Sequence, residues 1–116
     1  MKFMLLLFND EAGFATMSEA ERGAAFGAYM AFNGALQEAG AFVSGDPLLP
    51  SATAVQVRAP GGVRQTEHGA YGANALQLGG TYVIDVADSE AAIGWAVRCP
   101  AAAHGVVEVR PLMPLG

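Results

Sequence analysis

Cysteine is almost missing from this chain: its 116 residues include one, Cys99. A single thiol cannot close an internal disulfide, and no Cys/His cluster has zinc spacing. Neither a disulfide scaffold nor a structural metal is expected, and the cytoplasm is the default compartment. Basic residues are scarce too. Six Lys and Arg face eleven Asp and Glu, a formal charge of -5, so no basic surface is available to replace counterions along a phosphate backbone. Nucleic acid is therefore not an expected partner. Long apolar runs are absent, since nothing approaches the roughly 20 residues of a membrane span, and no membrane association is expected. The opening Met1–Phe8 is apolar enough to suggest a signal peptide. It meets Asn9-Asp10-Glu11 too soon, however, and lacks an adjacent small-residue cleavage site. At 53% hydrophobic and 15% charged residues, the composition suits a soluble globule and excludes a disordered chain. The length suits one domain over residues 1–116, without room for a separate cofactor domain.

What is present is ordered along the chain. Lys2 to Phe8 is a continuous apolar run of strand length. Ser18-Glu19-Ala20-Glu21 is a capping box that predicts a helix start, and Gly40 is the expected stop. At 100° per residue, Phe26, Tyr29, Met30, Phe32 and Leu36 share one arc, which is expected to bury against a sheet. Arg22 and Asn33 fall within that arc, so each must find a polar partner or reach a cleft. Ala41–Gly45 reads as a short strand, and Asp46–Pro50 as a loop held open by two prolines. Ala52–Arg58 and Val63–Thr66 read as a hairpin turning near Pro60–Gly62. Glu67 to Ala75 has no sustained periodicity but carries His68, Tyr71 and Asn74, which makes it the candidate functional loop. Leu78–Val86 is β-prone, and Asp88 or Ser89 caps a second helix that Pro100 ends. In that helix Ile93, Ala96 and Val97 form the expected buried stripe, with Trp95 on another side. Val106–Arg110 is the last strand. The Gly79-Gly80 pair is no phosphate loop, because no Lys-Ser/Thr follows. It predicts a bulge or close packing.

This order predicts an α+β fold of ferredoxin-like kind, a mixed and mostly antiparallel sheet with two helices on one face. The other face then has no cover within the chain, which predicts a symmetric homodimer.

The segments Met1–Leu7, Ser18–Arg22, Gln77–Val86 and Val107–Pro111 together resemble the YCII-related proteins of the DGPF subgroup, over nearly the whole chain. The resemblance implies a ferredoxin-like unit that pairs into a dimeric α+β barrel. The Asp-Gly-Pro-Phe stretch that names the subgroup falls, counting back from Gln77, on His68-Gly69-Ala70-Tyr71. Gly is kept, Tyr71 replaces Phe, Ala70 replaces Pro, and His68 stands where the resemblance would offer an acidic acid/base group.

Two functional readings follow. In the first, a dimeric α+β barrel binds an apolar or aromatic small molecule in a cleft, with proton-transfer chemistry at His68. Tyr71 and Arg22 would position a polar group of the ligand and Asn33 would satisfy it. The second is a non-catalytic regulatory or protein-interaction module. Each residue also has a plainer reading. His68 is then a solvated loop histidine, Tyr71 a packing anchor, and Arg22 an ion-pair partner of Asp46 or a helix-end contact. Asp10 and Glu11 become solvated acids at a strand end, His104 a surface residue, and Cys99 a buried structural thiol. No metal or organic cofactor is implied.

Overall fold

A computed structural model describes residues 1–72 and 74–115. Its frame is a four-stranded sheet in the order β2-β5-β1-β6, built from β1 (Lys2–Asn9), β2 (Phe42–Pro47), β5 (Gln77–Asp85) and β6 (Val106–Pro111). All three pairings are antiparallel. The helices are α1 (Glu11–Ala15), α2 (Glu19–Glu38), α3 (Ser89–Arg98) and α4 (Ala101–His104). Setting aside one inserted hairpin, the order strand, helix, two strands, helix, strand is the ferredoxin-like α+β arrangement that the sequence predicts. The hairpin is β3 (Val55–Arg58) and β4 (Gln65–His68), a separate two-stranded sheet between β2 and β5.

β1 is central because it carries apolar residues on both faces. Its odd positions Phe3, Leu5 and Leu7 are buried, with Tyr82 and Ile84 of β5 beside them. Together with Phe32 and Leu36 of α2, Ala92 and Ala96 of α3, and Cys99, they make the core. Met4, Leu6 and Phe8 point the other way, beside Val83 and Leu78, and are only half-buried. The core residues of α2 and α3 lie on the opposite side.

The local signals hold where they are strongest. Ser18 Oγ accepts from the Glu21 N–H, and Glu21 Oε1 accepts from the Ser18 N–H, both at 3.1 Å. At the far end Gly40 has φ 70°. The Ala41 N–H reaches the Leu36 carbonyl at 2.9 Å and the Gly40 N–H reaches Gln37 at 3.0 Å, which together form a Schellman stop. Gly79 is the bulge residue: Leu7 faces Gly80 and Phe8 faces Leu78, so Gly79 has no partner on β1. Both positions are tight, since a Cβ on Gly79 would sit 3.1 Å from Asn9 Nδ2 and one on Gly80 3.1 Å from the Asp46 carbonyl, so that a side chain fits only if its neighbour gives way by a few tenths of an ångström.

The helix faces differ from expectation. Phe26 is 69% and Met30 55% exposed, while Tyr29, Phe32, Asn33 and Leu36 face the sheet. The contact line runs through Tyr29 and Leu36, and Phe26 and Met30 lie about 70° and 110° away from it at 3.6 residues per turn. Arg22, placed by the wheel inside the buried arc, is exposed in the first turn of α2. On α3 the buried positions are Ala92 and Ala96, whereas Ile93 and Val97 are exposed. Trp95 is half-buried, edge-on to Phe32 at 6.2 Å, with the Arg98 guanidinium 4.4 Å above its ring. The line Ala92, Trp95, Ala96, Cys99 has i, i+3, i+4, i+7 spacing, and its two alanines let the backbone approach the sheet closely. The loop expected at Asp46–Pro50 also starts later, since β2 runs to Pro47 and the Leu48 N–H still bonds the Gly79 carbonyl at 2.9 Å.

Candidate functional site

The end of the sheet where β1 and β5 terminate opens into a cleft of about 590 Å³. Its apolar wall includes Phe8 from β1, Leu48 and Leu49 from the segment after β2, and Leu76 and Leu78 at the start of β5. Tyr71 stands at the rim, 82% exposed, and Ser51, Asn74 and Gln77 supply hydrogen-bonding groups. Of the described lining residues, Tyr71 is the only one with a titratable side chain. The cleft therefore suits an uncharged, mainly apolar molecule held by a few polar contacts.

Three side chains fix this shape. Glu11, in the first turn of α1, accepts from the Ser51 N–H through Oε1 and from the Ser51 hydroxyl through Oε2, both at 2.7 Å. Gln77 Oε1 accepts from the Glu11 N–H at 3.1 Å, while its Nε2 donates to the Asn74 carbonyl at 3.0 Å. One glutamine thus ties the helix start to the loop on the other side of the cleft. Gln56 Nε2 donates to the Gly69 and Ala70 carbonyls at 3.2 and 3.3 Å, anchoring the loop that carries Tyr71. Over its other side lies the Arg58 guanidinium, 5.9 Å from the Tyr71 ring centroid.

The residues singled out by sequence are dispersed. Tyr71 lines the cleft. His68 closes β4 opposite Val55, is exposed, and is not among the lining residues. Arg22 donates from Nη2 to the carbonyl of Ala15, the last residue of α1, at 3.1 Å and lies 5.5 Å over the Phe14 ring, so it makes the helix-end contact rather than an ion pair with Asp46. Asn33 accepts the Tyr82 hydroxyl through Oδ1 at 2.5 Å beneath α2. The candidate loop is shorter than expected, because β4 takes Glu67 and His68, and Ala73 within it lies outside the described residues.

Below α2 lies a second polar group, whose residues are not among those lining the cleft. Burial pushes the phenols of Tyr29 and Tyr82 up to about 12, with the neighbouring Cys99 thiol adding to the effect in each case. Burial also raises the Cys99 thiol. All three stay protonated at neutral pH, which makes them packing groups rather than proton carriers. Among the described residues no three His, Cys, Asp or Glu side chains converge as metal ligands, and no helix is long and apolar enough to cross a membrane.

Glu11, Ser51 and Gln77 carry the cleft, and Glu11 is not the solvated strand-end acid expected from the sequence, because both its carboxylate oxygens hold Ser51. The local signal for Glu11 was Asp10, which caps α1 by accepting from the Ala12 N–H at 3.1 Å. The contact with Ser51 joins residues 40 apart and leaves no local trace.

No curated protein gives a significant match to the chain. The YCII-related domain, by contrast, matches residues 1–116. With a ferredoxin-like sheet, a cleft at its end and a family match over its whole length, the chain belongs to the YCII-related family.

Proposed function

We propose that this chain binds a small, uncharged, apolar or aromatic molecule in the Phe8–Leu78 cleft, and that it works as a homodimer. The observation that carries the reading is the lining itself: an apolar wall, a few fixed hydrogen-bonding groups, and Tyr71 as a phenol at the rim. Within it, Ser51 and Gln77 orient a carbonyl or hydroxyl of the ligand, and Tyr71 donates to it or stacks on it. Binding has more support than proton transfer, because His68 is not in the lining while Arg22 and Asn33 are engaged elsewhere. A role for His68 as acid or base requires its imidazole to swing to the rim from the base of the hairpin. We place the chain in the DGPF subgroup, with His68-Gly69-Ala70-Tyr71 in place of the naming motif.

The test is saturation-transfer NMR with a panel of small aromatic and carbonyl compounds. Leu48→Asp serves as the site variant, since Leu48 is 49% exposed and its replacement leaves the core intact. Phe26→Asp, on the outer side of α2, is the control. Compounds that bind the wild-type chain and the control but lose at least about tenfold affinity for Leu48→Asp, roughly 1.4 kcal/mol, support the reading. A panel without binders, or binders indifferent to Leu48→Asp, overturns it.

A further inference from the structure

The polar groups of the cleft have already spent their protons within the chain. The Ser51 hydroxyl donates to Glu11 Oε2 and the Ser51 N–H to Glu11 Oε1, both at 2.7 Å. Thr53 gives its hydroxyl proton to the Pro50 carbonyl, also at 2.7 Å. Gln77 Nε2 directs its protons to the Asn74 and Ala75 carbonyls, at 3.0 and 3.4 Å. The orientation of that amide is fixed by its partners, since Oε1 faces the Glu11 N–H while Nε2 faces two carbonyls.

The backbone of the Leu48–Ala54 wall is committed in the same way. The Leu48 N–H bonds the Gly79 carbonyl at 2.9 Å, the Thr53 N–H the Pro50 carbonyl at 2.9 Å, and the Ala54 N–H the Ser51 carbonyl at 3.0 Å. Pro50 has no N–H to give. Among the described residues this leaves the Leu49 N–H as the one lining amide of that wall outside these bonds.

What remains is lone pairs. A hydroxyl that donates can still accept, and so can an amide oxygen that has accepted once. Ser51, Thr53 and Gln77 therefore meet a ligand as acceptors. Ser51 and Gln77 are half-buried, where a polar group left unmet is costly. Donation to a carboxylate makes the Ser51 oxygen a better acceptor, because hydrogen bonds in a chain polarise one another. The Glu11 charge behind it opposes an anion at the same point. The lining side chains with protons still to give are Tyr71, at the rim, and Asn74, in the loop across the cleft.

We infer that the cleft selects hydrogen-bond donors. Its ligand is an apolar or aromatic molecule with an O–H or N–H, a phenol, an alcohol or an N–H heteroarene, which points that proton at Ser51 and Gln77. Any acceptor on the ligand faces Tyr71 and Asn74 instead. Ethers and ketones of the same shape are rejected because they set lone pair against lone pair, and a site built around one hydrogen-bonding group discriminates strongly against the analogue that lacks it. This rests on the cleft reading above and narrows it from a carbonyl or hydroxyl to the donor alone.

Two pairs of near-identical shape test it, indole against benzofuran and 2-naphthol against 2-methoxynaphthalene, titrated into the full chain and followed by NMR. Each first member carries a donor where the second has only an ether oxygen. Indole and 2-naphthol are expected to bind at least about tenfold more tightly than their counterparts, roughly 1.4 kcal/mol. A cleft that reads apolar area alone gives the opposite order, since the donor costs more to strip of water. In Glu11→Gln the new amide donates to Ser51 Oγ and releases the Ser51 proton toward the cleft, so the preference should fall to within about threefold. The wild-type ratio needs no variant and decides even if Glu11→Gln fails to fold. Ethers that bind as well as the donors, with both weakened by Leu48→Asp, overturn the inference and leave the cleft reading standing. A folded Glu11→Gln with the wild-type preference overturns it as well. Binding by none of the four, or binding indifferent to Leu48→Asp, overturns both readings together.

Discussion

Glu11 holds Ser51 with both carboxylate oxygens, one on the backbone N–H and one on the hydroxyl, each at 2.7 Å. This strap closes one wall of the cleft, and hydrogen bonds to a charged acceptor are the stronger kind. Glu11→Ala is expected to lose both bonds and lower stability by on the order of 2 kcal/mol, with Ser51→Ala losing about half as much. Urea denaturation checks this: the midpoint should fall while the slope stays unchanged. Compound binding should weaken in both variants, because the Leu48–Ser51 wall loses its anchor.

Glycine substitutions should divide by what surrounds each position. A Cβ on Gly105 would collide with the Phe8 carbonyl oxygen, whereas one on Gly27 in α2 meets nothing within 4 Å. Gly105→Ala is expected to destabilise by about 3 kcal/mol, since backbone has to move. Gly27→Ala is expected to stabilise by about 0.5–1 kcal/mol through helix propensity. Thermal melts of the two variants should shift in opposite directions.

Alkaline pH should unfold the protein through the phenols under α2. Tyr29 and Tyr82 ionise at about 12 in the fold, raised chiefly by burial from an ordinary value of 10.0. A raised phenol contributes stability that is fully present below 10 and is lost as the pH climbs toward 12, because the unfolded chain gives up its proton first. Near-ultraviolet phenolate absorbance followed alongside circular dichroism should show their ionisation coinciding with unfolding. Tyr82→Phe removes one of these late phenols and leaves Asn33 Oδ1 without its donor, at about 1 kcal/mol.

The start of α2 should respond to acid. The Ser18 backbone and side-chain hydrogen bonds hold the Glu21 carboxyl below its usual range. Its contribution is therefore present above the ordinary carboxylate value and lost as the pH falls through the lowered one. Ser18→Ala should abolish that acid dependence, seen by NMR titration of the Glu21 carboxyl, and cost about 1 kcal/mol as a lost cap.

The features legible in the sequence are those whose physics is local. The Ser18–Glu21 box, the Gly40 stop, the Asp88 cap, the Gly79 bulge and the hairpin turning at Pro60–Gly62 each depend on a few neighbouring residues, and all are present. The ferredoxin-like order follows from those elements. Sequence gave no means to tell which part of an amphipathic arc meets the sheet. Phe26, Met30, Ile93 and Val97 sit at the flanks of theirs, while of the expected residues Phe32, Leu36 and Ala96 are buried and Tyr29 half-buried, with Ala92 added. The cleft was half legible. Tyr71 was found because its loop lacks periodicity, but Glu11 with Ser51 and Gln77 with Glu11 are pairings over 40 and 66 residues, which only tertiary structure brings together. Arg22 and Asn33 needed partners, as their positions implied, and found them in Ala15, Phe14 and Tyr82.

The most direct test of the cleft as a binding site is amide chemical-shift mapping of the full chain with a compound that the panel identifies. Perturbations should gather on Leu48, Ser51, Tyr71, Gln77 and Leu78, and saturate together as one site fills. Shifts on the outer side of α2 and α3 around Phe26 and Val97, with the cleft amides unmoved, would contradict it.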